Sequence, residues 1–407
     1  MGSNIWSDCP KVPITQLLEF IVDNRGKTVP TAPNGHKLIA TNCVTNNTLF
    51  PVYEKVRYLS DETYRTWFRA HPIPGDILFV NKGTPGRVCI VPDPIDFCIA
   101  QDMIALRADD SKIYNKYLFA VLRSREIQQQ IYNTSVGDVI PHFKKQFMDQ
   151  LLIPVPDRKE QEAIGDFYYA LSYKVEHNKK LNDNLQQLLR VRFEDLFVIN
   201  ADEEWPTKKL GEYLSLERGL SYKGKFLSED EGVPMLNLGN ILPNSVFREE
   251  KLKFYTGEFK ERHTVVPGDI IVANTDLTQA REVLGSAIRV PNLGYEAVIC
   301  SHHISIVRNS KISNSFILGL LNMPEYRSRV AGFATGTTVL ALPNETILNC
   351  EFQCPPIDVI KEYDDFADPV YAMMENIRIE NHKLTSLRDK LLPQLMSGEI
   401  NVSEVSL

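Results

Sequence analysis

The chain has 407 residues, a formal net charge of −7 and 43% hydrophobic residues, so it is long enough for two or three domains and too apolar to be disordered throughout. No apolar run approaches the ~20 residues of a membrane helix, and no basic region followed by an apolar stretch suggests a secretory signal. The seven cysteines are odd in number and scattered, as expected for free thiols in a reducing, cytoplasmic setting. The acidic balance argues against a protein that coats nucleic acid, but a local basic patch would suffice for sequence-specific DNA binding.

The first part of the chain, residues 10–156, is expected to fold as a mixed globular domain. Runs bounded by Pro, Gly, Asn or Asp predict strands at Lys37–Ala40, Asp76–Asn81, Val88–Val91 and Met103–Arg107. Apolar residues at roughly the helical period predict a helix over Asn115–Ile131. The segment Leu152–Pro156 closes the domain, because its two prolines do not fit inside a helix or a central strand.

Residues 158–197 predict one long helix, because they contain no proline and only Gly165 is a poor helix former. Two heptad positions form a coiled-coil-like seam: Ile164, Leu171, Asn178 and Leu185 at one, and Tyr168, Val175, Asn182, Leu189 and Leu196 at the other. A single helix cannot bury such a stripe on itself, so the pattern requires a partner.

The partner is predicted near the C-terminus, after a second globular block over residues 205–356. A helix over 358–396 keeps the seam, with Val370, Ile377, Leu384 and Leu391 at one position and Met374, Asn381 and Leu395 at the other, where Arg388 interrupts it. Two long helices joined by a domain can pair antiparallel. Asn182 and Asn381 occupy equivalent seam positions, where a polar residue either fixes the register of the pair or faces solvent at a loose point.

The two halves of the chain repeat one pattern. Pro74–Ile77 matches Pro267–Ile270 at an offset of 193 residues, and Asn182 matches Asn381 at an offset of 199; an insertion of 6 residues before Val290 explains the difference. The sequence therefore predicts an α+β fold with a pseudo-twofold internal repeat. Two mixed α/β domains, residues 1–157 and 201–356, would be separated by two long helices packed as an antiparallel coiled coil, in segments 158–200 and 357–407.

The sequence contains no complete catalytic signature. Gly83–Arg87 lacks the spacing and the lysine of a phosphate-binding loop, and Cys354–Ile357 keeps only the two prolines of an adenine-methyltransferase loop. His302 and His303 are adjacent, and on a strand they would point to opposite faces rather than toward one metal ion. We therefore predict neither catalytic residues nor a metal site.

Two motifs connect the chain to a known family. Ile153–Pro156 is followed after three residues by Glu160-Gln161 and a long helix, and the second helix ends in the segment Leu391–Ile400, Leu-Leu-Pro-Gln-Leu-Met-Ser-Gly-Glu-Ile. Together with the duplication, they make nearly the whole chain resemble the specificity subunit of a type I restriction–modification system. The second repeat departs from the first, with Val359-Ile360 in place of Glu160-Gln161.

The resemblance implies a non-catalytic subunit that recognises double-stranded DNA. Target-recognition domains 1 and 2, residues 1–157 and 201–356, would each read one half of a split, asymmetric target, and the helices would set the separation of the halves. The implied partners are methyltransferase (modification) subunits, two in number, and motor-nuclease (restriction) subunits recruited through the complex. S-adenosylmethionine, ATP and Mg²⁺ would belong to those partners, and this chain is expected to hold no cofactor.

Candidate DNA-contacting residues carry side chains able to bond base edges or phosphates and lie on expected loops. In the first domain they are Arg25, Lys27, Lys82, Thr84, Arg87 and Ser135. In the second domain they are Arg218, Lys223, Lys225, Asn274, Thr275, Thr278, Gln279, Arg281 and Thr337. For any one of them the alternative is a solvated loop residue.

Two other functions are compatible with parts of this pattern. A nuclease or methyltransferase would need the missing motifs, and purified chain incubated with DNA and cofactors tests for one. A non-catalytic scaffold, organised by the helix pair without reading DNA, is compatible with the acidic balance. Salt-dependent DNA binding distinguishes a DNA reader from such a scaffold.

Overall fold

The computed structural model describes residues 4–24, 28–137, 141–243, 246–276, 281–336 and 339–401. The chain forms two compact units, the first from Met1–Leu181 with Arg378–Leu407 and the second from Asn182–Ile377. Both units mix helices with sheets, which confirms the predicted fold class. Within the described ranges, none of the helices combines the length and the apolar character needed to cross a membrane.

The first unit contains the N-terminal globular domain. Its elements in chain order are α1 (Ile5–Asp8), β1 (Lys11–Pro13), β2 (Leu18–Val22), β3 (His36–Ile39), β4 (Arg57–Leu59), α2 (Asp61–Thr66), β5 (Ile77–Val80), β6 (Val88–Ile90), β7 (Phe97–Ile99), β8 (Met103–Ala108), α3 (Asn115–Leu122), α4 (Arg125–Thr134), β9 (Leu152–Pro154) and the start of α5 (Arg158–Glu194). An antiparallel sheet has the order β2-β8-β5-β6, a smaller sheet has the order β4-β3-β7, and β1 pairs with β9. The four strands predicted from the sequence are all present, with ends that differ by one residue.

The predicted helix over Asn115–Ile131 is wrong in one respect, because the chain forms two helices there. The break falls at Ser124, whose extended backbone ends the run and whose hydroxyl caps α4 by accepting from the Ile127 amide at 3.4 Å. A serine in that role competes with the helix and favours a new N-terminus. The side chain of Arg123 reinforces the break, because it donates to the carbonyl oxygen of Val88 at 2.8 Å.

The second unit contains the other globular domain. Its elements in chain order are β10 (Thr207–Lys209), β11 (Ser215–Arg218), β12 (Leu227–Ser228), β13 (Val233–Leu236), β14 (Ile241–Leu242), β15 (Val246–Phe247), β16 (Lys253–Tyr255), β17 (Thr264–Val265), β18 (Ile270–Ala273), β19 (Thr275–Asp276), β20 (Ala287–Arg289), β21 (Val298–Cys300), β22 (Ile304–Arg308), α6 (Asn314–Asn322), α7 (Pro324–Ala331), β23 (Leu340–Ala341), α8 (Asn344–Leu348), β24 (Glu351–Gln353) and the start of α9 (Ile357–Met396). Its larger sheets have the orders β11-β22-β18-β20 and β12-β16-β13-β21-β17, and three strand pairs, β10-β24, β14-β15 and β19-β23, complete it.

Equivalent contacts in the two units confirm the internal repeat. The Asp76 carboxylate binds the Arg107 guanidinium through two hydrogen bonds of 3.0 and 3.1 Å, and Asp269 binds Arg308 at 2.8 Å in the same place of the second unit. Both aspartates also accept from a backbone amide three residues earlier. Because each pair joins the residue before one strand to the neighbouring strand, β5 to β8 and β18 to β22, the repeat extends from sequence to three-dimensional contacts.

The two long helices contact each other within each unit. In the first unit, Asn178 of α5 donates to Asn381 of α9 at 2.9 Å, while Tyr168, earlier in α5, lies against Arg388, later in α9. The order of contacts along the two helices runs in opposite directions, so this pairing is antiparallel. The predicted seam residues are buried or half-buried, including Ile164 and Val175.

The pairing in the second unit has the same direction. Asn182 donates to the Met374 carbonyl oxygen at 3.4 Å, and Arg192, later in α5, forms an ion pair of 2.5 Å with Glu362, earlier in α9. Asn182 therefore bonds to a helix backbone, while Asn381 accepts from Asn178. Neither asparagine simply faces solvent, and both make the directional bonds that a register-setting role requires.

The heptad pattern indicates that Arg388 interrupts the seam, but in the structure Arg388 is buried there. Its side chain is 3% exposed, and its guanidinium lies 5.5 Å from the centre of the Tyr168 ring, a cation–π arrangement. Asp389 accepts a 2.8 Å hydrogen bond from Nε. A cation can replace an apolar residue at this point because an aromatic face and a carboxylate both stabilise its charge.

Candidate nucleic-acid interface

In the first unit, two loops that are far apart in sequence meet at one end of the larger sheet. Loop 81–87 connects β5 to β6, and Lys82 pairs by a backbone bridge with His142, which also pairs with Val136. Gly83 donates its amide to the Pro141 carbonyl oxygen at 2.9 Å. The fold therefore brings the predicted Lys82, Thr84 and Arg87 next to the segment that contains Ser135.

The tight path of loop 81–87 depends on its glycines. Gly83 and Gly86 have φ values of +87° and +89°, in the left-handed region that side chains disfavour. The loop can therefore turn sharply and leave Lys82 and Arg87 exposed on either side of it. Such a loop can present donors to a groove or a phosphate without rearranging its backbone.

The candidates of the first unit differ in how free they are to bind. Lys82 lies 3.8 Å from Asp102, so part of its charge is already balanced. Ser135 donates its hydroxyl to the Ile131 carbonyl oxygen at 2.7 Å, which leaves the hydroxyl oxygen as an acceptor. Arg87 is exposed and is the strongest candidate for a phosphate contact.

Two exposed residues beside these loops were missed by the sequence analysis. Tyr132, at the end of α4, is 76% exposed, and Lys144 follows the second loop and is also exposed. A lysine pair, Lys144-Lys145, was a visible signal, although Lys145 forms an ion pair with Asp23 at 3.2 Å. The aromatic ring of Tyr132 gave no signal, because its place on a helix end depends on the break at Ser124.

The second unit repeats this arrangement. Thr275 in β19 pairs with Ala341 in β23, which also pairs with Thr335 across the equivalent turn. Arg281 is exposed and its guanidinium donates to the Ala331 carbonyl oxygen at 2.8 Å. The candidates Arg25, Lys27, Thr278, Gln279 and Thr337 lie outside the described residues.

Asn274 and Thr275 are not loop residues, and their proposed role in base contact is wrong in that form. Asn274 is fully buried and Thr275 is 4% exposed, because the chain continues from β18 into the paired strand β19. The Asn274 amide donates to the Ser305 hydroxyl at 2.9 Å, and Ser305 donates to the Asn344 side-chain oxygen at 2.6 Å. These bonds hold the base of the loop in place and do not face a ligand.

Arg218 brings a second group of candidates to the same region. It is exposed at the end of β11, and its Nε donates to the His302 carbonyl oxygen at 3.0 Å. Lys223 and Lys225 are exposed a few residues further on, and Lys225 lies 4.8 Å from the Phe226 ring centre. Arg218 thus approaches β19 through the turn that contains His302 and His303.

The expectation that His302 and His303 point to opposite faces is wrong, because they lie in a turn between β21 and β22 rather than on a strand. Their ring centres are 3.9 Å apart, and Nδ1 of His303 accepts from the Thr275 hydroxyl or donates to it at 2.9 Å. Burial lowers the pKa of both imidazoles, and Arg218 lowers both further. Among the residues that the structure describes, no group of three or more His, Cys, Asp or Glu side chains could hold a metal ion.

Comparisons with known proteins agree with this architecture. Residues 25–187 match a family model described as the type I restriction modification DNA specificity domain. The chain is 21% identical to the type I restriction enzyme MjaIX specificity subunit of Methanocaldococcus jannaschii, over 81% of this chain and 79% of that protein. It is 22% identical to the HindI specificity subunit of Haemophilus influenzae, over 80% of this chain and 86% of that protein.

A solved structure shares the fold. The type I restriction–modification system S subunit from M. genitalium superposes with a TM-score of 0.57 at 15% identity, and the match covers 96% of each chain. Nearly the whole chain, including both repeats, therefore has a counterpart in a fold that is already known.

Proposed function

We propose that this chain, which belongs to the DNA specificity subunits of type I restriction–modification systems, reads a bipartite, asymmetric double-stranded target with its two units. One observation carries the proposal: in each unit the segment that follows an equivalent strand pairs with an equivalent second segment, Lys82 with His142 and Thr275 with Ala341. The supporting strands repeat, but the loop residues differ. A shared framework with different loops is suited to two different half-sites.

The framework would serve a non-catalytic role. Specificity subunits supply recognition, and we propose that this chain recruits two methyltransferase subunits and, through them, the motor-nuclease subunits. S-adenosylmethionine, ATP and Mg²⁺ would be used by those partners. Helices α5 and α9 would fix the separation of the half-sites, because they are continuous over 37 and 40 residues.

Methylome sequencing of cells that express this chain with its cognate methyltransferase subunit tests the proposal. We expect one split motif that is methylated only when both proteins are present. Exchange of residues 277–281, with the buried Asn274 and Thr275 retained, should change one half of the motif and leave the other half unchanged. The matched exchange of residues 84–87, with Gly86 retained, should change the opposite half.

Other outcomes would contradict parts of the proposal. A change in both halves from a single exchange would show that the units do not read separately. Methylation by this chain alone would make it an enzyme. If this chain forms a stable complex with an active methyltransferase subunit and no DNA is methylated, the result would favour a non-catalytic scaffold that does not read DNA.

Substitution of Arg87 by alanine should weaken binding to every duplex sequence by a similar factor. If Arg87 neutralises one phosphate, the slope of log affinity against log salt concentration should fall by about 1. Substitution of Lys82 should have a smaller effect, because Asp102 at 3.8 Å already balances part of its charge. Fluorescence anisotropy at several salt concentrations measures both slopes.

Lys159 provides the matched control for this prediction. It is an exposed lysine near the start of α5, outside the loops. Its substitution by alanine should leave the salt slope unchanged. An equal loss for Lys159→Ala and Arg87→Ala would mean that total charge, and not loop 81–87, determines the affinity.

A further inference from the structure

The turn between β21 and β22 in the second unit differs chemically from the equivalent turn between β7 and β8 in the first unit. In the first unit the backbone carbonyl of Asp102 accepts from the Asn81 amide at 3.0 Å, and in the second unit His303 accepts from Asn274 in the same way at 3.0 Å. The equivalent positions are therefore Asp102 and His303. An acidic side chain in one unit is replaced by an imidazole in the other, next to a second histidine.

In both imidazoles of this turn, Nδ1 is the nitrogen directed into the protein. Nδ1 of His302 is buried in a ring that lies beside the backbone of Leu220, and Nδ1 of His303 is bonded to the Thr275 hydroxyl at 2.9 Å. Both rings are half-buried. Nε2 is therefore the nitrogen of each ring that remains as a donor to a ligand.

Two cationic side chains, Arg218 and Lys253, act on the pair through their charge. Arg218, from β11, is exposed and contacts the turn only through Nε, so the remainder of its guanidinium is open to a ligand. Lys253, from β16, is exposed and acts on His303 through its charge. Tyr222 lies beside His302 with ring centres 5.6 Å apart and adds an uncharged wall.

We propose that His302, His303 and Arg218 form a proton-linked anion site that takes a backbone phosphate of the DNA bound by the second unit. Two imidazoles and a guanidinium are three donors of positive or titratable charge, and such a set matches a phosphodiester. The site lies directly against β19, through the contact between His303 and Thr275. The inference rests on the proposed function, because it assigns a phosphate contact within DNA recognition.

The pH dependence has a defined sign. Burial and Arg218 lower the pKa of both imidazoles, so both are neutral in the free protein near neutral pH. A phosphate beside them favours the protonated form and raises each pKa on binding. Affinity should therefore increase as the pH falls through the interval between the free and bound pKa values, and should be unaffected well above it.

The test uses the complex of the full chain with its co-expressed methyltransferase subunit and a fluorescent mixed-sequence duplex. We compare the wild type with the double variant His302→Gln, His303→Gln at about pH 8 and about pH 5.5. The two proteins should bind equally at the higher pH. At the lower pH the wild type should bind about 10- to 100-fold more tightly than the variant, because a rise of about one unit in the pKa of each imidazole corresponds to as much as about tenfold in affinity per ring.

His177→Gln is the control, since His177 lies on α5 in the first unit. Its pH dependence should match that of the wild type. If the double variant and the wild type bind DNA with the same pH dependence, the phosphate site is overturned while DNA reading stands. If the complex binds no duplex at either pH, the proposed function itself fails.

If the double variant does not fold, a second measurement tests whether His302 and His303 bind the DNA phosphate. The chain has only eight histidines, so histidine-labelled protein gives few ring signals in NMR spectra. The duplex should raise the pKa of the His302 and His303 rings of the wild type. Unchanged pKa values with duplex, including the case in which inorganic phosphate raises them and duplex does not, would overturn the DNA-phosphate assignment.

Discussion

Replacing Asp76 by alanine is expected to destabilise the first unit by about 3 kcal/mol, at the lower end of the range for breaking a buried ion pair. The Asp76 side chain is 2% exposed and binds Arg107 through two oxygens, while the Arg107 side chain is 24% exposed. Removing the carboxylate leaves a cation that is largely shielded from water. The Ile73 amide also loses the acceptor that it reaches at 3.0 Å.

Hydrogen exchange followed by mass spectrometry measures this effect unit by unit. In Asp76→Ala, amides of β5 and β8 should exchange faster, while β18 and β22 keep their protection. Asp269→Ala is the matched variant and should produce the reverse pattern, because Asp269 binds Arg308 in the equivalent place. Unchanged protection in both variants would mean that these ion pairs contribute nothing to folding.

Replacing Gly165 by alanine is expected to destabilise the first unit, although alanine is the better helix former by about 1 kcal/mol. A Cβ atom on Gly165 would lie 2.6 Å from the backbone nitrogen of Tyr117 and 2.9 Å from the carbonyl carbon of Lys116. These atoms belong to the first turn of α3 and cannot rotate away. Overpacking of this kind costs about 1–3 kcal/mol. Except at the lower limit, this cost is larger than the gain of about 1 kcal/mol in helix propensity.

Thermal unfolding of the variant measures the balance of the two effects. Gly224→Ala is the control, because a Cβ atom at Gly224 meets nothing within 4 Å. The control should be neutral or slightly stabilising, since alanine restricts the unfolded chain. A higher melting temperature for Gly165→Ala would show that α3 and α5 can separate without cost.

The regular parts of the fold were predictable because their signals are local or periodic. The seam of α5 and α9 and the strands around β5 follow from residue spacing alone, and the offset between Asp76 and Asp269 marked the repeat. The break at Ser124 was missed because a serine in a helical pattern is ambiguous until its hydroxyl finds an amide to cap. Gly165 was only a weak point in a helix until α3 was placed against it.

The candidate site was less predictable than the fold. Polarity identified Arg87 and Arg281 as exposed residues near the loops. The same criterion failed for Asn274, because polarity does not distinguish a ligand-binding amide from one that bonds Ser305 inside the unit. The histidine turn was misjudged since the face of each ring depends on where β22 begins.

The first unit is built from two segments that are far apart in the chain, and this has a consequence for protein synthesis. Its core joins Ile14 and Ile164 to Leu392, Leu395 and Met396 of α9, and these positions are separated in the chain by the whole second unit. Contacts between such distant positions form late and close a large loop. A ribosome therefore synthesises every residue of the second unit before the first unit can complete its core, so the unit whose translation begins first cannot finish folding until the other has been made.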